Sequence, residues 1–139
     1  MKKMNNKGFS LIELIIVIAI MAILVAIIAP NLTKYLGKSK RKTDAKNADE
    51  IAQQLQTAIT DYETDNGELC ADGSTVTISW ASGSAVSTPA KTAFDAIVND
   101  NITNSTKSKE TGADATASIA KASGKYTITV TVGNESTTR

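Results

Sequence analysis

The sequence predicts an α+β protein in which one long N-terminal α-helix packs against a small antiparallel β-sheet head. The apolar run 9–29 contains one charged residue, Glu13, and helical periodicity resumes beyond residue 44. From residue 67 onward the chain is rich in Ser and Thr and contains segments that alternate in period two. We therefore expect a polar leader (1–8), a membrane-length helix (9–30), an amphipathic continuation of it (31–66) and a β-containing head (67–139).

The first two regions together suit insertion into a membrane. The leader "MKKMNNKG" is short, polar and positive, as is the front of an export signal. As a helix, the run 9–29 is about 31 Å long, which is enough to cross a bilayer. A signal peptide of the ordinary kind is a poorer fit, because the plausible cut after "AIIA" would leave Pro30 immediately behind it. Lysines in the leader compete with the basic residues of 34–46, so the positive-inside rule alone does not set the orientation.

The second half of the long helix carries an apolar stripe. Pro30 removes a backbone donor and clashes with the preceding turn, so we expect a helix interruption there. We expect the head to dock on a stripe that begins near Ala45 and contains Ala48, Ile51, Ala52, Leu55, Ile59 and Tyr62. The same face is basic before Ala45, which predicts that 31–44 is uncovered. "DNG" at 65–67 is a helix-stop signal.

The head is predicted to contain two strands and a short helix. "TVTISW" (75–80) and "YTITVTV" (126–132) alternate in period two. Between them, "STPAKTAFDAIVND" predicts a helix with Thr88 as N-cap and with Phe94, Ile97 and Val98 facing inward. We expect residues 101–124 to be mostly loop, with a strand near 118–122.

Composition argues against catalysis and against nucleic acid as a partner. The 15 basic and 14 acidic residues nearly balance, so no global charge favours nucleic acid. The chain has no histidine and one cysteine, Cys70, which excludes a His-based triad and an internal disulfide. We expect no enzyme activity, no metal and no cofactor. The basic segment 34–46 is expected to be a solvated helix face or to pair with acidic neighbours, in preference to binding DNA or anionic lipid.

At its N-terminus the chain resembles the prepilin signal of type IV pilins. The resemblance rests on "KGFSLIEL", that is, on Lys7, Gly8, Phe9, the apolar pair Leu11 and Ile12, and Glu13, followed by an apolar helix. It extends to about residue 62, and the head matches only in outline. It implies that a prepilin peptidase on the cytoplasmic side cleaves between Gly8 and Phe9, and that Phe9 is then N-methylated.

The resemblance also assigns a role to the lone carboxylate. It implies that Glu13 pairs with the Phe9 ammonium of an adjacent subunit and so sets the axial register of a filament. The alternative from the residues alone is that Glu13 reaches the lipid headgroups from near the end of a membrane helix. Two departures from better-known pilins are the single cysteine, which excludes a disulfide-closed C-terminal loop, and the lack of glycine in "AIMAILVAIIAP".

These features imply a structural protein rather than an enzyme. The leading hypothesis is a major pilin, held in the membrane by one span with its N-terminus in the cytoplasm. An assembly platform and ATPase then polymerise it into an extracellular helical homopolymer for adhesion, twitching motility or aggregation. The alternative is a pseudopilin of a type II secretion or DNA-uptake system. A third hypothesis is an anchored protein whose head binds a ligand.

Overall fold

The computed structural model describes residues 8–81, 83–102 and 106–139, so most of the expected leader lies outside the described residues. The fold is α+β, a long N-terminal helix followed by a five-stranded antiparallel sheet, and this confirms the predicted class. The chain divides into two units, one ending at Gly37 and one running from Lys38 to Arg139. The elements are α1 (Leu11–Asn66), β1 (Thr75–Ser79), β2 (Val86–Thr88), α2 (Thr92–Asn101), β3 (Thr116–Ala122), β4 (Lys125–Val132) and β5 (Glu135–Thr138).

Helix α1 continues through Pro30, where an interruption was expected. Proline removes one backbone donor, but the turns on either side of it keep their own hydrogen bonds. The Thr33 hydroxyl also donates to the Pro30 carbonyl at 3.0 Å. A break at Pro30 is therefore not a property of the single chain, and a weakening of the helix there in a filament stays a prediction. The helix ends at Asn66, and Gly67 follows with a φ of 78°, as the "DNG" signal predicts.

The stripe on the second half of α1 lies in the core of the unit 38–139. Its members Ala48, Ile51, Ala52, Leu55 and Ile59 are buried together with inward-facing side chains of the sheet and of α2. Tyr62, at the end of the stripe, is half-buried and meets the ring of Phe94 edge-on, with centroids 5.6 Å apart. This helix surface and the sheet therefore close one hydrophobic core.

The start of the stripe was predicted wrongly. Ala45, expected at its head, is exposed, whereas Asp44 is completely buried. The segment 108–110 covers the helix at this point and supplies hydrogen-bond donors to the Asp44 carboxylate. The prediction that all of 31–44 is uncovered therefore fails at Asp44, because a satisfied carboxylate extends the buried face by one turn.

The sheet has the order β2-β1-β3-β4-β5. The predicted strands β1 and β4 are confirmed, and the expected strand near 118–122 is the longer β3. On β4, Ile128, Val130 and Val132 point into the core in the predicted alternation. The short edge strands β2 and β5 were not predicted. β5 follows the turn "GN" at 133–134, a hairpin signal that the sequence does contain.

The expected N-cap of the short helix is also corrected. Thr88 is the last residue of β2 and pairs with Thr77 of β1. Helix α2 begins at Thr92 with Lys91 at the N-cap position, where no side chain caps it. Instead the Lys91 amide donates to the Ser87 hydroxyl at 2.8 Å, because the segment between β2 and α2 folds back on the strand. Phe94 and Val98 are buried and Ile97 packs against the core, as predicted.

Candidate functional site

The residues of the predicted N-terminal site lie in the first turn of α1 and immediately before it. Gly8 and Phe9 precede the helix, and the Phe9 side chain is 90% exposed. Ser10 lies at the N-cap position, and its backbone amide donates to Oε2 of Glu13 at 2.8 Å. This bond is one half of a capping box, in which the third residue of a helix reaches back to the N-cap. The "SLIE" spacing is the sequence signal for it, and our sequence reasoning did not use it.

The capping bond engages only one oxygen of Glu13. In the part of the chain that the structure describes, no donor lies within hydrogen-bond distance of Oε1. A negative charge in the first turn also interacts favourably with the N-terminal end of the helix dipole. Glu13 therefore stabilises the start of its own helix and keeps one carboxylate oxygen available to a donor from outside the chain.

The helix that follows Glu13 presents apolar side chains on all sides. Every large apolar side chain from Phe9 to Leu36 is between 44% and 90% exposed. By length and composition, this helix is able to cross a membrane. An apolar surface of this extent on a chain of this size indicates that lipid or other protein covers it.

A second polar site holds the loop before β3 on α1. The buried Asp44 carboxylate accepts hydrogen bonds from the Ser108 hydroxyl at 2.6 Å and from the Lys109 and Glu110 amides at 2.6 and 3.1 Å. Burial on its own raises the pKa of Asp44, but these three hydrogen bonds outweigh it and hold the pKa below its ordinary value. Asp44 is therefore an ionised anchor for the loop.

Two further contacts surround this anchor. Arg41 Nε lies 2.6 Å from Glu110, one helical turn before Asp44, and the Asn134 side chain donates to the other oxygen of Glu110 at 3.3 Å. Gly133, in the turn between β4 and β5, has a φ of 63°, and a Cβ there would lie 2.8 Å from the Cβ of Ser108. A side chain at this glycine would collide with the donor to Asp44, so the turn must carry glycine.

The segment that follows α1 is fixed to the sheet by a separate set of contacts. The nearly buried Lys121 ammonium lies 2.8 Å from Glu68 and 5.1 Å from the centre of the Tyr126 ring. Hydrogen bonding to Glu68 is the main reason that the pKa of Lys121 is raised. The Tyr126 hydroxyl donates to Glu63 and accepts from the amide of Leu69.

Cys70 is beside these contacts. It is partly buried and packs against the core. Burial raises the pKa of its thiol, which disfavours the reactive thiolate.

Comparison with known proteins matches the N-terminal region. Residues 3–29 match the model of the prokaryotic N-terminal methylation motif. The chain is 44% identical over 55 residues to prepilin peptidase-dependent protein A of Clostridium perfringens, a match that covers 39% of each protein. It is 35% identical over 63 residues to the ComG operon protein 3 homolog of Bacillus licheniformis, covering 45% of this chain and 61% of that one.

The type IV major pilin protein PilA of Myxococcus xanthus is 50% identical over 43 residues, which are 31% of this chain and 20% of PilA. In each of these relatives, the matched segment covers less than two thirds of the protein's length. No solved structure gives a significant match.

The fold and its N-terminal site define a class of protein in which an exposed apolar helix, able to span a membrane, carries a small α+β head. The helix begins with an N-terminal methylation motif, and its relatives include type IV pilins and a prepilin-peptidase-dependent protein. Over this N-terminal region the chain is similar to type IV pilins.

Proposed function

We propose that this chain is the major pilin of a type IV pilus and polymerises through α1 into an extracellular filament. The observation that carries the proposal is the position of Glu13, the one charged residue within the exposed apolar run 9–29. A bare hydrophobic anchor does not need this carboxylate, whereas a bundle of identical helices can use it to fix their register. The relative in Myxococcus xanthus, which is named a major pilin, supports the same conclusion.

Processing would create the positive charge with which Glu13 can pair. Cleavage between Gly8 and Phe9 leaves an ammonium group on Phe9, about one helical turn from Glu13. Glycine before the scissile bond leaves room for the backbone to enter a protease in extended form. We propose that a prepilin peptidase makes this cut on the cytoplasmic face and that Phe9 is then N-methylated.

Assembly would then bring the two charges of different subunits together. In the membrane, Glu13 lies about 6 Å from the new N-terminus and can stay near the interface. Inside a helix bundle that excludes water it needs a partner, because an unpaired buried charge costs about 3–5 kcal/mol. The unengaged oxygen Oε1 can accept the Phe9 ammonium of a neighbour while Oε2 keeps the Ser10 amide. An assembly platform and ATPase would supply the work of extraction from the membrane.

Processing is tested by the intact mass of the subunit in sheared fibres. We expect a chain that begins at Phe9 and carries one added methyl group. A subunit that retains residues 1–8 would refute the processing step. Fibres that are abundant and composed mainly of this chain are expected for a major pilin.

The role of Glu13 is tested with two substitutions. Glu13→Gln keeps a capping acceptor for the Ser10 amide and removes the charge, whereas Glu13→Ala removes both. We expect both variants to be inserted and cleaved, and neither to form fibres. Normal fibre numbers from Glu13→Gln would show that the charge is not needed for register.

The alternative is a pseudopilin of a secretion or DNA-uptake system. The relative in Bacillus licheniformis named after the ComG operon favours it. In that case, deletion of the gene would abolish secretion or transformation. Wild-type cells would not carry abundant surface fibres of this chain. Micrographs and the composition of sheared material separate the two functions.

A further inference from the structure

Two pairs of exposed charges lie on the part of α1 that belongs to the unit 38–139. Lys38 and Lys42 are one helical turn apart, and so are Asp61 and Asp65. All four side chains are exposed. Among the described residues, no oppositely charged group lies within ion-pair distance of any of these four side chains. Like charges one turn apart are mildly destabilising on an isolated helix, so the chain retains them without an internal benefit.

Several neighbouring charges on the same stretch of helix form ion pairs within the chain. The pairs and their distances are Arg41 with Glu110 at 2.6 Å, Lys46 with Glu50 at 3.3 Å, and Asp49 with Arg139 at 2.9 Å. Lys38 with Lys42 and Asp61 with Asp65 therefore stand out on α1 as two like-charged pairs for which the described residues supply no ion pair. Lys40 is also unpaired in that part of the chain, but it lies on another side of the helix from the two lysines.

The spacing of the two pairs is the same. Asp61 follows Lys38 by 23 positions, and Asp65 follows Lys42 by 23 positions. In an α-helix, 23 residues span about 35 Å and rotate by about 140° beyond whole turns. The two pairs thus lie on different flanks of α1, and each is roughly 100–120° from the buried stripe around Leu55. One axial shift of about 35 Å between two parallel copies would place both aspartates of one copy level with both lysines of the other.

We propose that the Lys38–Lys42 pair of one subunit binds the Asp61–Asp65 pair of a second copy of this chain, displaced by about 35 Å along the filament axis. The proposal rests on the proposed function, in which Glu13 and Phe9 of neighbouring subunits require parallel helices. A patch that binds a different patch on the next copy makes a head-to-tail interface, and such interfaces generate open helical filaments. The four charges would then determine which copy binds and at which axial position. Complementary charges contribute more to such specificity than to the affinity of binding.

Charge reversal tests this pairing. The variants are Lys38→Asp with Lys42→Asp, Asp61→Lys with Asp65→Lys, and all four changes together. We expect each reversed pair to lower the yield of sheared fibres by about tenfold or more, because like charges then face each other. The fourfold variant should recover a yield within about twofold of the wild type, because opposite charges face each other again.

The outcomes separate this inference from the function on which it rests. If the wild-type chain forms no fibres, the proposed function is refuted together with the pairing. If wild-type fibres form and either reversed pair still assembles normally, the pairing alone is refuted. The same holds if the fourfold variant is stable and processed but recovers no fibres.

Cross-linking gives a measurement that does not depend on charge. In a Cys70→Ser background, Lys42→Cys and Asp65→Cys place two thiols about 35 Å apart within one chain, too far for a short bismaleimide to join. We expect a ladder of cross-linked oligomers from assembled fibres. The control pairs Asp65→Cys with Lys40→Cys, which lies on another side of the helix, and it should give no ladder. Assembled fibres without a ladder from the first pair, or equal ladders from both, would overturn the proposal.

Discussion

Replacing Asp44 should lower the stability of the head strongly, although Asp44 lies in a basic, polar segment where a substitution would be expected to have little effect. The carboxylate is buried and accepts three hydrogen bonds, from Ser108, Lys109 and Glu110. Hydrogen bonds to charged groups contribute about 1.5–3 kcal/mol each, but those sharing one acceptor are not additive. We expect Asp44→Ala to lower the free energy of unfolding by about 3 kcal/mol and Asp44→Asn, which keeps one accepting oxygen, by about 2 kcal/mol. Because a domain has only about 5–15 kcal/mol in total, either loss is large.

The measurement is urea unfolding of the full chain in detergent micelles, followed by the fluorescence of the single tryptophan. Trp80 is 1% exposed, so its emission reports loss of the core. The control is Asp65→Asn, which removes an exposed carboxylate from the same helix and should change stability by less than about 0.5 kcal/mol. Equal midpoints for Asp44→Asn and this control would refute the anchoring role of Asp44.

The loss of stability in Asp44→Asn should also depend on pH. The pKa of Asp44 is lowered in the folded chain from its ordinary value of 3.8. A lowered folded-state pKa means that the stabilisation is fully present above 3.8 and is lost as the pH falls through the lower, folded-state value. The stability difference between the wild type and Asp44→Asn should therefore be constant near neutral pH and shrink below about pH 4. A difference that grows on acidification would contradict a lowered pKa.

Two further substitutions test the packing of the head, the first by the same unfolding measurement and the second by the amount of protein in cells. Gly133→Ala should destabilise the head by about 1–3 kcal/mol, because the new Cβ meets Ser108. The control is Gly124→Ala, which has a similar positive φ and open space around it, and which should cost only the backbone strain. Leu55→Asp should release the head from the helix and lower the amount of protein in cells, because a charge would enter the core. The control is Thr57→Asp, on the exposed side of the same helix. Equal protein levels for the two variants would contradict the packing.

The elements predicted correctly are those in which many residues repeat one pattern. The helix that ends at Asn66 has a stripe of period 3.6 over its second half, and β4 alternates over seven residues. Each buried side chain there supports the same assignment, so a single misleading residue does not alter it. The short edge strands β2 and β5 have three and four residues, too few for a period to be visible, and they form because a neighbouring strand offers its free edge.

The polar contacts of the head were missed for a different reason. Asp44 lies among lysines and arginine in the sequence, where a carboxylate is expected to be a solvated counter-charge. Its burial depends on donors at 108–110, more than sixty positions away, and no local pattern links the two. The spacing of Asp44 to Ala48 and Ile51 does continue the buried stripe, but only an apolar residue would have made that continuation visible.

On the proposed mechanism, the two acidic residues Glu13 and Asp44 would let one helix serve both folding and assembly. Asp44 meets every donor it needs within its own chain, so the head can form before any neighbour is present. Glu13 receives one donor from Ser10, and the described chain supplies none for its second oxygen. On the proposed mechanism that second donor is an ammonium that exists only after cleavage before Phe9. On that mechanism, the capping bond holds the carboxylate at the start of the helix in the precursor, and processing, rather than folding, would decide when it can bind another subunit.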